Sequence, residues 1–167
     1  MIRILVAALA ALALPSAAFA GATVEGIKGI AHVGPNQVIQ GQKIEDGSNI
    51  TTEIDSSVVL GFDDGQKMMI GPSSHFRLVS FRYQAKQPAN DHAVFDLLKG
   101  ALRVVTGALA GRNKELWAVR TPQFTIGVRG TDFIVAVANG SHVNVVSGQV
   151  ALTNGAGTAV FGPGSIA

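Results

Sequence analysis

Cysteine is absent from this chain of 167 residues. Its absence excludes a disulfide framework, a thiolate metal site, a cysteine nucleophile and a lipid-anchored N-terminal cysteine. Charge is also scarce, because Asp, Glu, Lys and Arg together make up 14% of the residues, against about 25% in an average soluble domain. That deficit excludes a charge-solvated disordered chain and a coiled coil rich in Glu and Lys.

Long apolar runs are lacking except at the N-terminus, which has the pattern of a secretory signal peptide. Arg3 provides a short positive start, residues 4–14 are continuously apolar, and Ala18-Phe19-Ala20 fits a cleavage site. The run is shorter than the roughly 20 residues that a retained signal anchor needs. We therefore expect residues 1–20 to be removed, leaving a soluble periplasmic or secreted chain without an integral membrane segment, as in a Gram-negative bacterium.

A basic surface is lacking as well. Loss of Arg3 with the signal peptide lowers the formal net charge from +2 to +1, and Lys and Arg form no cluster anywhere in the sequence. Nucleic-acid binding depends on several phosphate contacts from such clusters. We therefore expect no nucleic-acid partner.

Residues that favour strands and turns are abundant, and they predict an all-β fold. Segments rich in Val, Ile, Phe and Thr alternate with Gly, Asp, Asn and Pro, a spacing typical of a short-stranded β-sandwich, a barrel or a solenoid-like β-fold. Length favours a single domain over residues 21–167. The strand candidates are Val24–Val33, Asn49–Ile54, Ser57–Phe62, Lys67–Ile70, His75–Tyr83, Ala101–Thr106, Leu116–Arg120, Phe124–Val128, Phe133–Ala138, His142–Ser147 and Val150–Thr153.

Strict alternation marks some core faces, and two stretches lack strand character. Residues 133, 135 and 137 share one apolar face, as do residues 124, 126 and 128. Residues 95–98 are interpreted as an irregular approach to the next strand. Gln84–His92 and Gly107–Lys114 are predicted to be polar loops, and loops frequently carry binding residues.

Catalytic and metal-binding signatures are absent from the sequence. It contains no H-E-x-x-H, Walker A, G-x-S-x-G or G-x-G-x-x-G motif, and its four histidines are dispersed. Asp63-Asp64-Gly65 offers carboxylates for calcium, but Asp-Gly is an ordinary turn signal. We expect no metal, no cofactor and no enzymatic activity.

One segment, residues 121–135, combines features found nowhere else in the chain. Arg129 emerges from an apolar run between Gly127 and Gly130, which permit close backbone approach or a positive φ. Arg129 is either a structural group that fills buried acceptors, with Asp132 near enough to be one, or an exposed group that recognises an acidic partner. The candidate structural or partner-binding residues are Thr121, Pro122, Gly127, Arg129, Gly130, Thr131, Asp132 and Phe133.

The run T-P-x-x-x-I-G-V-R-G-T-D-F-x-V, followed by residues 145–150, resembles the core motif of the FecR domain. Further pieces in matching order extend the resemblance over about residues 40–164; they are residues 41–44, 57–65, 71–74 and 97–103. The resemblance implies an all-β domain of short strands in the periplasm, without known catalytic residues.

The resemblance covers only part of the architecture of iron-dicitrate regulators. In that family, the iron-dicitrate regulators combine four parts: an anti-sigma segment, a membrane helix, the FecR domain and a C-terminal domain that contacts a transporter. A signal peptide stands here in place of the first two parts, so direct control of a sigma factor is not expected.

We expect a non-catalytic interaction module that binds a protein partner in envelope signalling or assembly through its two loops and its sheet edges. The alternatives are a structural or carbohydrate-binding module of the envelope, for which Trp117 and Tyr83 offer few stacking platforms, and an unrecognised enzyme. The sequence does not determine the oligomeric state.

The signal-peptide pattern predicts that the exported protein begins at Gly21, because Ala18-Phe19-Ala20 is the first A-x-A site after the apolar run. N-terminal sequencing of the protein from a periplasmic fraction checks this expectation. Recovery of chains that still begin with Met1 in the membrane pellet would contradict it.

Overall fold

The computed structural model describes residues 21–167, which are nearly all β. The all-β prediction is confirmed. Thirteen strands of this part of the chain belong to one open sheet. They are β1 (Ala22–Lys28), β2 (Ala31–Val33), β3 (Asn36–Gln37), β4 (Lys43–Ile44), β5 (Asn49–Thr52), β6 (Ser57–Phe62), β7 (Lys67–Ile70), β8 (His75–Arg82), β9 (His92–Val105), β10 (Trp117–Arg120), β11 (Thr125–Val137), β12 (Ser141–Asn154) and β13 (Gly157–Phe161).

Helical structure is limited to short pieces. Helix α1 (Ala108–Arg112) has five residues, and 3-10 turns occupy Pro88–Asn90 and Lys114–Leu116. None of the helices within residues 21–167 is long and apolar enough to cross a membrane. The expected signal peptide, residues 1–20, lies outside the described residues.

Three long strands organise the sheet because each one changes partners along its length. Strand β9 pairs with β8 and, in parallel, with β10 through its first half, and then with β7 and β11 through its second half. Strand β11 pairs first with β10 and then with β9, while β12 accompanies it throughout. The main strand order is β13-β12-β11-β10-β9-β7-β6-β1-β4. These exchanges bend the sheet around its own apolar face.

The long strands correct one interpretation of the sequence. Residues 95–98, expected to be an irregular approach, form the middle of β9. Phe95 and Leu97 are fully buried, whereas Leu98 is about half exposed. The apolar residue on the outer face obscured the alternation, and sheet pairing on both sides stabilises the strand instead.

A line of aromatic rings runs through the core. Ring centroids lie 4.8 Å apart for Phe81–Phe62, 5.6 Å for Phe62–Phe95, 5.8 Å for Phe95–Trp117 and 6.2 Å for Trp117–Phe133. Each ring brings a large apolar area, and tilted or edge-on contacts at these distances add about 0.5–1.5 kcal/mol per pair. The rings join strands β6, β8, β9, β10 and β11 into one core.

The residues that alternation predicted to face inward on β11 belong to or pack against this core. Phe133, Val135 and Val137 are buried on β11, and so are Ile126 and Val128 on its first half. The remaining member of the second set, Phe124, is half-buried and packs against the core. A period of two therefore identified the inward face on both halves of the strand.

Asp64 fastens the segment after β9 to the turn between β6 and β7. Its Oδ1 accepts a hydrogen bond from the Gln66 N–H (2.9 Å) and its Oδ2 accepts one from the Leu109 N–H (3.2 Å). Its backbone carbonyl accepts a third from Ala108 (2.9 Å). Burial raises the pKa of the Asp64 carboxyl, while the hydrogen bonds from Gln66 and Leu109 oppose that rise. The Asp-Gly turn read from the sequence thus also carries a buried anchor.

We predict that Asp64→Ala lowers the free energy of unfolding by about 1–3 kcal/mol, because two buried N–H groups lose their acceptor. Urea denaturation measures the change, with the exposed neighbour Asp63→Ala as the matched control. The pKa of Asp64 is higher in the folded protein than its ordinary value of 3.8. The contribution of its carboxyl to the free energy of unfolding therefore falls as the pH rises from 3.8 through the folded pKa. Equal losses in the two variants would contradict the anchoring role.

Candidate functional site

The first residues of the motif, Thr121 and Pro122, form the tight connection between β10 and β11. The Thr121 hydroxyl donates to the carbonyl of Phe124 (2.9 Å) and accepts hydrogen bonds from the N–H groups of Gln123 (3.3 Å) and Phe124 (3.2 Å). The Thr121 N–H also donates to the Phe124 carbonyl (2.9 Å). This pair therefore shapes the turn that sends β11 back along the sheet.

The second glycine of the motif marks the bend of β11. Gly130 has φ +59° and faces Gly148 of β12, which has φ +78°. The register between the two strands shifts here, between Arg129 and Asp132. A Cβ on Gly148 would overlap the carbonyl oxygen of Gly130 and approach Thr131 Cγ2 within 2.8 Å. Only glycine meets both the positive φ and the close approach.

Thr131 and Phe133 lie on the inward side of the bend. The Thr131 N–H donates to the Thr106 hydroxyl (2.8 Å), which donates in turn to the Thr131 carbonyl (3.1 Å). The Thr131 hydroxyl oxygen is buried without a hydrogen-bond partner among the described residues. Phe133 belongs to the aromatic line of the core. These two residues support the fold rather than an exposed site.

Asp132 does not pair with Arg129, which corrects the structural interpretation of the motif. Arg103 of β9 donates to both carboxylate oxygens of Asp132, at 3.1 and 2.8 Å. This bidentate pair raises the pKa of Arg103 above its ordinary value. Asp132 and Arg103 are neighbours because β9 and β11 run side by side after the bend, a contact that sequence spacing did not reveal.

Arg129 itself is exposed, and within residues 21–167 its side chain has neither a hydrogen bond nor an ion pair. It lines a shallow pocket of about 340 Å³ on the outer face of β11, β12 and β13. Gly127 contributes to the same pocket in ordinary extended conformation, and the nearest atom to a Cβ there would be 4.0 Å away. Of the eight candidate residues, Gly127 and Arg129 are therefore the two that line this depression.

The remaining walls of the pocket come from outside the motif. Small side chains widen its floor, since Gly127 lies directly across from Ala151 and Ala151 from Val160. Lys114 and Glu115 approach from the 3-10 turn before β10, and Gln149 lies across from Arg129. With two cations and one carboxylate the pocket has an excess of positive charge. Lys114 ended the second predicted loop and Gln149 lies in the 145–150 segment of the FecR resemblance, but Val160 carried no signal in the sequence.

The two loops predicted as a contact surface meet in the structure. Arg112 Nη1 donates to the carbonyl of Ala85 (3.2 Å), and its guanidinium lies 5.4 Å from the centre of the Tyr83 ring. Asn113 Nδ2 donates to the carbonyl of Asp91 (3.2 Å). The second loop is more ordered than expected, because it contains α1 with a buried Leu109. Its end delivers Lys114 to the pocket of Arg129.

No group of three or more His, Asp or Glu side chains in the described part of the chain is placed to hold a metal ion. Asp63 is exposed, whereas the carboxylate of Asp64 points inward and accepts hydrogen bonds from the backbone N–H groups of Gln66 and Leu109. The arrangement that the site does offer is an exposed cation beside an apolar, small-residue floor.

Comparison with known families agrees with the motif. The family model described as FecR protein matches residues 48–151. The chain belongs to the FecR family. All eight candidate residues and Arg103, the partner of Asp132, lie within the matched region. No curated protein matches the chain.

Solved structures resemble the fold of this FecR domain. Two crystal structures of a candidate anti-sigma factor from Parabacteroides distasonis ATCC 8503 each superpose with a TM-score of 0.56 at 17% identity. Each match covers 71% of this chain and 52% of the other. The FecR chain thus spans about half the length of that protein, and the likeness concerns the fold.

We predict that Arg129→Ala changes the free energy of unfolding by less than about 0.5 kcal/mol, as for other exposed side chains. Gly148→Ala should instead cost about 1–3 kcal/mol through the strained φ and the overlap with Gly130. Gly127→Ala is the matched control, because a Cβ has room there. Chemical denaturation distinguishes them, and a large loss for Arg129→Ala would restore the structural role of that residue.

Proposed function

We propose that this FecR domain is an exported, non-catalytic module that acts in the periplasm and binds an acidic segment of a protein partner in envelope signalling. The membership in the FecR family and the fold shared with a candidate anti-sigma factor support a signalling-related role. The pattern of residues 1–20 supports export. The pocket of Arg129 is the proposed contact.

The observation that carries this proposal is the free guanidinium of Arg129 beside Lys114. Three other cations, Lys67, Arg103 and Arg120, are neutralised by carboxylates at 2.7–2.8 Å. Arg129 has no such partner within the described residues, and it lies in the region that the family model matches. A guanidinium without an ion-pair partner can bind a carboxylate through two parallel N–H donors. This geometry selects both the negative charge and the orientation of the ligand.

The floor of the pocket favours an extended peptide over a bulky ligand. Gly127 and Ala151 present little side-chain height, so a backbone can lie close to the sheet between Val160 and Arg129. Gln149 adds an amide that can donate to or accept from a peptide group. A peptide carrying Asp or Glu would therefore place its carboxylate on Arg129 and its backbone along the floor.

The structure weighs against the carbohydrate-binding alternative. Trp117 is 1% exposed and donates its indole N–H to Gln66 Oε1 (2.7 Å), so it presents no face to a sugar. Tyr83 is half-buried beneath Arg112. Sugar recognition would need an exposed aromatic ring for stacking. Neither ring is free for this, because Trp117 is buried and Tyr83 is covered by Arg112.

We predict that Arg129→Glu weakens binding of the partner about tenfold or more, because an attraction becomes a repulsion. The exported protein is immobilised, the envelope protein that it retains is identified, and its affinity is measured at two salt concentrations. Lys43→Glu is the control, since it makes the same charge change on an exposed residue at the opposite end of the sheet. The wild-type affinity should fall as salt rises.

A defined probe separates the contact from the choice of partner. Fluorescent peptides that carry paired Glu residues should bind the wild type and Lys43→Glu but not Arg129→Glu, whereas their Gln and Lys counterparts should bind none. Unchanged affinity of Arg129→Glu for its partner, or equal binding of the Gln peptide, would overturn the proposal.

A further inference from the structure

Strand β13 leaves one edge of the sheet open. Within residues 21–167 it pairs with β12 on one side and has no strand on the other. Other terminal strands are guarded, since β3 and β4 have two residues each and β4 carries Lys43. Short length and charge are the ordinary means by which proteins prevent edges from pairing with other chains. Strand β13 has five residues and neither protection.

The segment of the chain that contains β13 has no charged side chains. Residues 133–167 contain no Asp, Glu, Lys or Arg. Val160 is 62% exposed, and the other residues of the strand are exposed except Phe161. The first proline after the strand, Pro163, lies beyond its end. No charged side chain of this segment therefore opposes a second strand, and the charges of Arg129, Lys114 and Glu115 lie in the pocket that Val160 lines.

The hairpin geometry tells which groups of β13 point outward. Asn154 and Gly157 close a two-residue turn as a hydrogen-bonded pair, and the ladder continues through Leu152–Ala159 and Val150–Phe161. Because antiparallel strands alternate hydrogen-bonded and non-hydrogen-bonded pairs, the backbone groups of Gly157, Ala159 and Phe161 face β12. The N–H and C=O groups of Thr158 and Val160 face outward.

We propose that two copies of this protein join through β13 in antiparallel register about a two-fold axis at Ala159. Thr158 then lies across from Val160 of the second copy, and Val160 across from its Thr158. This register uses every outward group of both strands in four hydrogen bonds. A shift by one or two residues would leave some of those groups unpaired.

The side chains of β13 also complement one another in this register. Thr158 across from Val160 makes a pair of β-branched residues, which favours strand pairing. Phe161 lies across from Gly157, so a ring covers the residue without a side chain. Ala159 meets its own copy in the closely spaced, non-hydrogen-bonded position, where a small residue fits. The sequence G-T-A-V-F is thus complementary to itself when reversed.

The dimer does not depend on the proposed peptide contact. Ala159 does not line the pocket of Arg129, whereas Val160 does. A charge at residue 159 therefore tests the strand pairing without changing the pocket. The second copy of Thr158 would extend the pocket wall formed by Val160.

We predict a reversible monomer–dimer equilibrium of the purified exported protein, measured by sedimentation over a concentration series from low micromolar to millimolar. Ala159→Lys and Ala159→Glu should each weaken the dimer about tenfold or more, because like charges lie directly across the two-fold axis. Mixing the two variants in equal amounts should restore a heterodimer. Ala138→Lys and Ala138→Glu, on an exposed alanine after β11, are the controls and should dimerise like the wild type.

Two results would overturn this proposal and leave the peptide contact untouched. A wild type that stays monomeric at millimolar concentration would show that β13 does not pair with itself. A dimer that survives either single charge at residue 159, or variants that fail to restore it on mixing, would place the interface elsewhere. Circular dichroism of every variant confirms that the sheet is intact.

Discussion

The close approach of Gly130 and Gly148 is the constraint on which the arrangement of the sheet depends. Both residues have positive φ, and the carbonyl of one occupies the space where a Cβ of the other would stand. The approach lets β11 and β12 bend together without losing their pairing. After the bend β11 leaves β10 and joins β9, so one strand belongs to both parts of the sheet. The aromatic core fills the inside of that curve.

The same bend separates the charges of the motif. Before it, Arg129 faces the outer pocket; after it, Asp132 reaches Arg103 on β9. Arg129 and Asp132, which are three residues apart in sequence, thus contact different parts of the structure, because the register shift lies between them. The ion pair Arg120–Asp96 likewise joins the neighbouring strands β10 and β9, whereas Glu25–Lys67 reaches from β1 to β7 across β6. Exposed ion pairs contribute little to stability, and the side chain of Arg129 lacks even such a pair within the described residues.

Sequence reasoning succeeded where a local rule decides the outcome. Alternation identified the buried faces of β11, since side-chain direction in a strand has a period of two. Sequence reasoning failed for residues 95–98 and for the loop after residue 107. The burial of these segments depends on the strands and loops that pack against them. Leu109 is buried because Asp64, 45 residues earlier, accepts its N–H. No window along the chain contains that pair.

By itself the sequence determined the all-β class, the family and the residues of the motif, because composition, turn residues and strand periodicity are local properties. It also contained the uncharged stretch of residues 133–167. Only the tertiary structure decided that Arg103 neutralises Asp132 and that Lys114 and Gln149 join Arg129. It also decided that the uncharged stretch contains β13, a strand with a single neighbour within residues 21–167. These outcomes follow from which strands lie side by side, and strand pairing is set by packing around a common core rather than by neighbours along the chain.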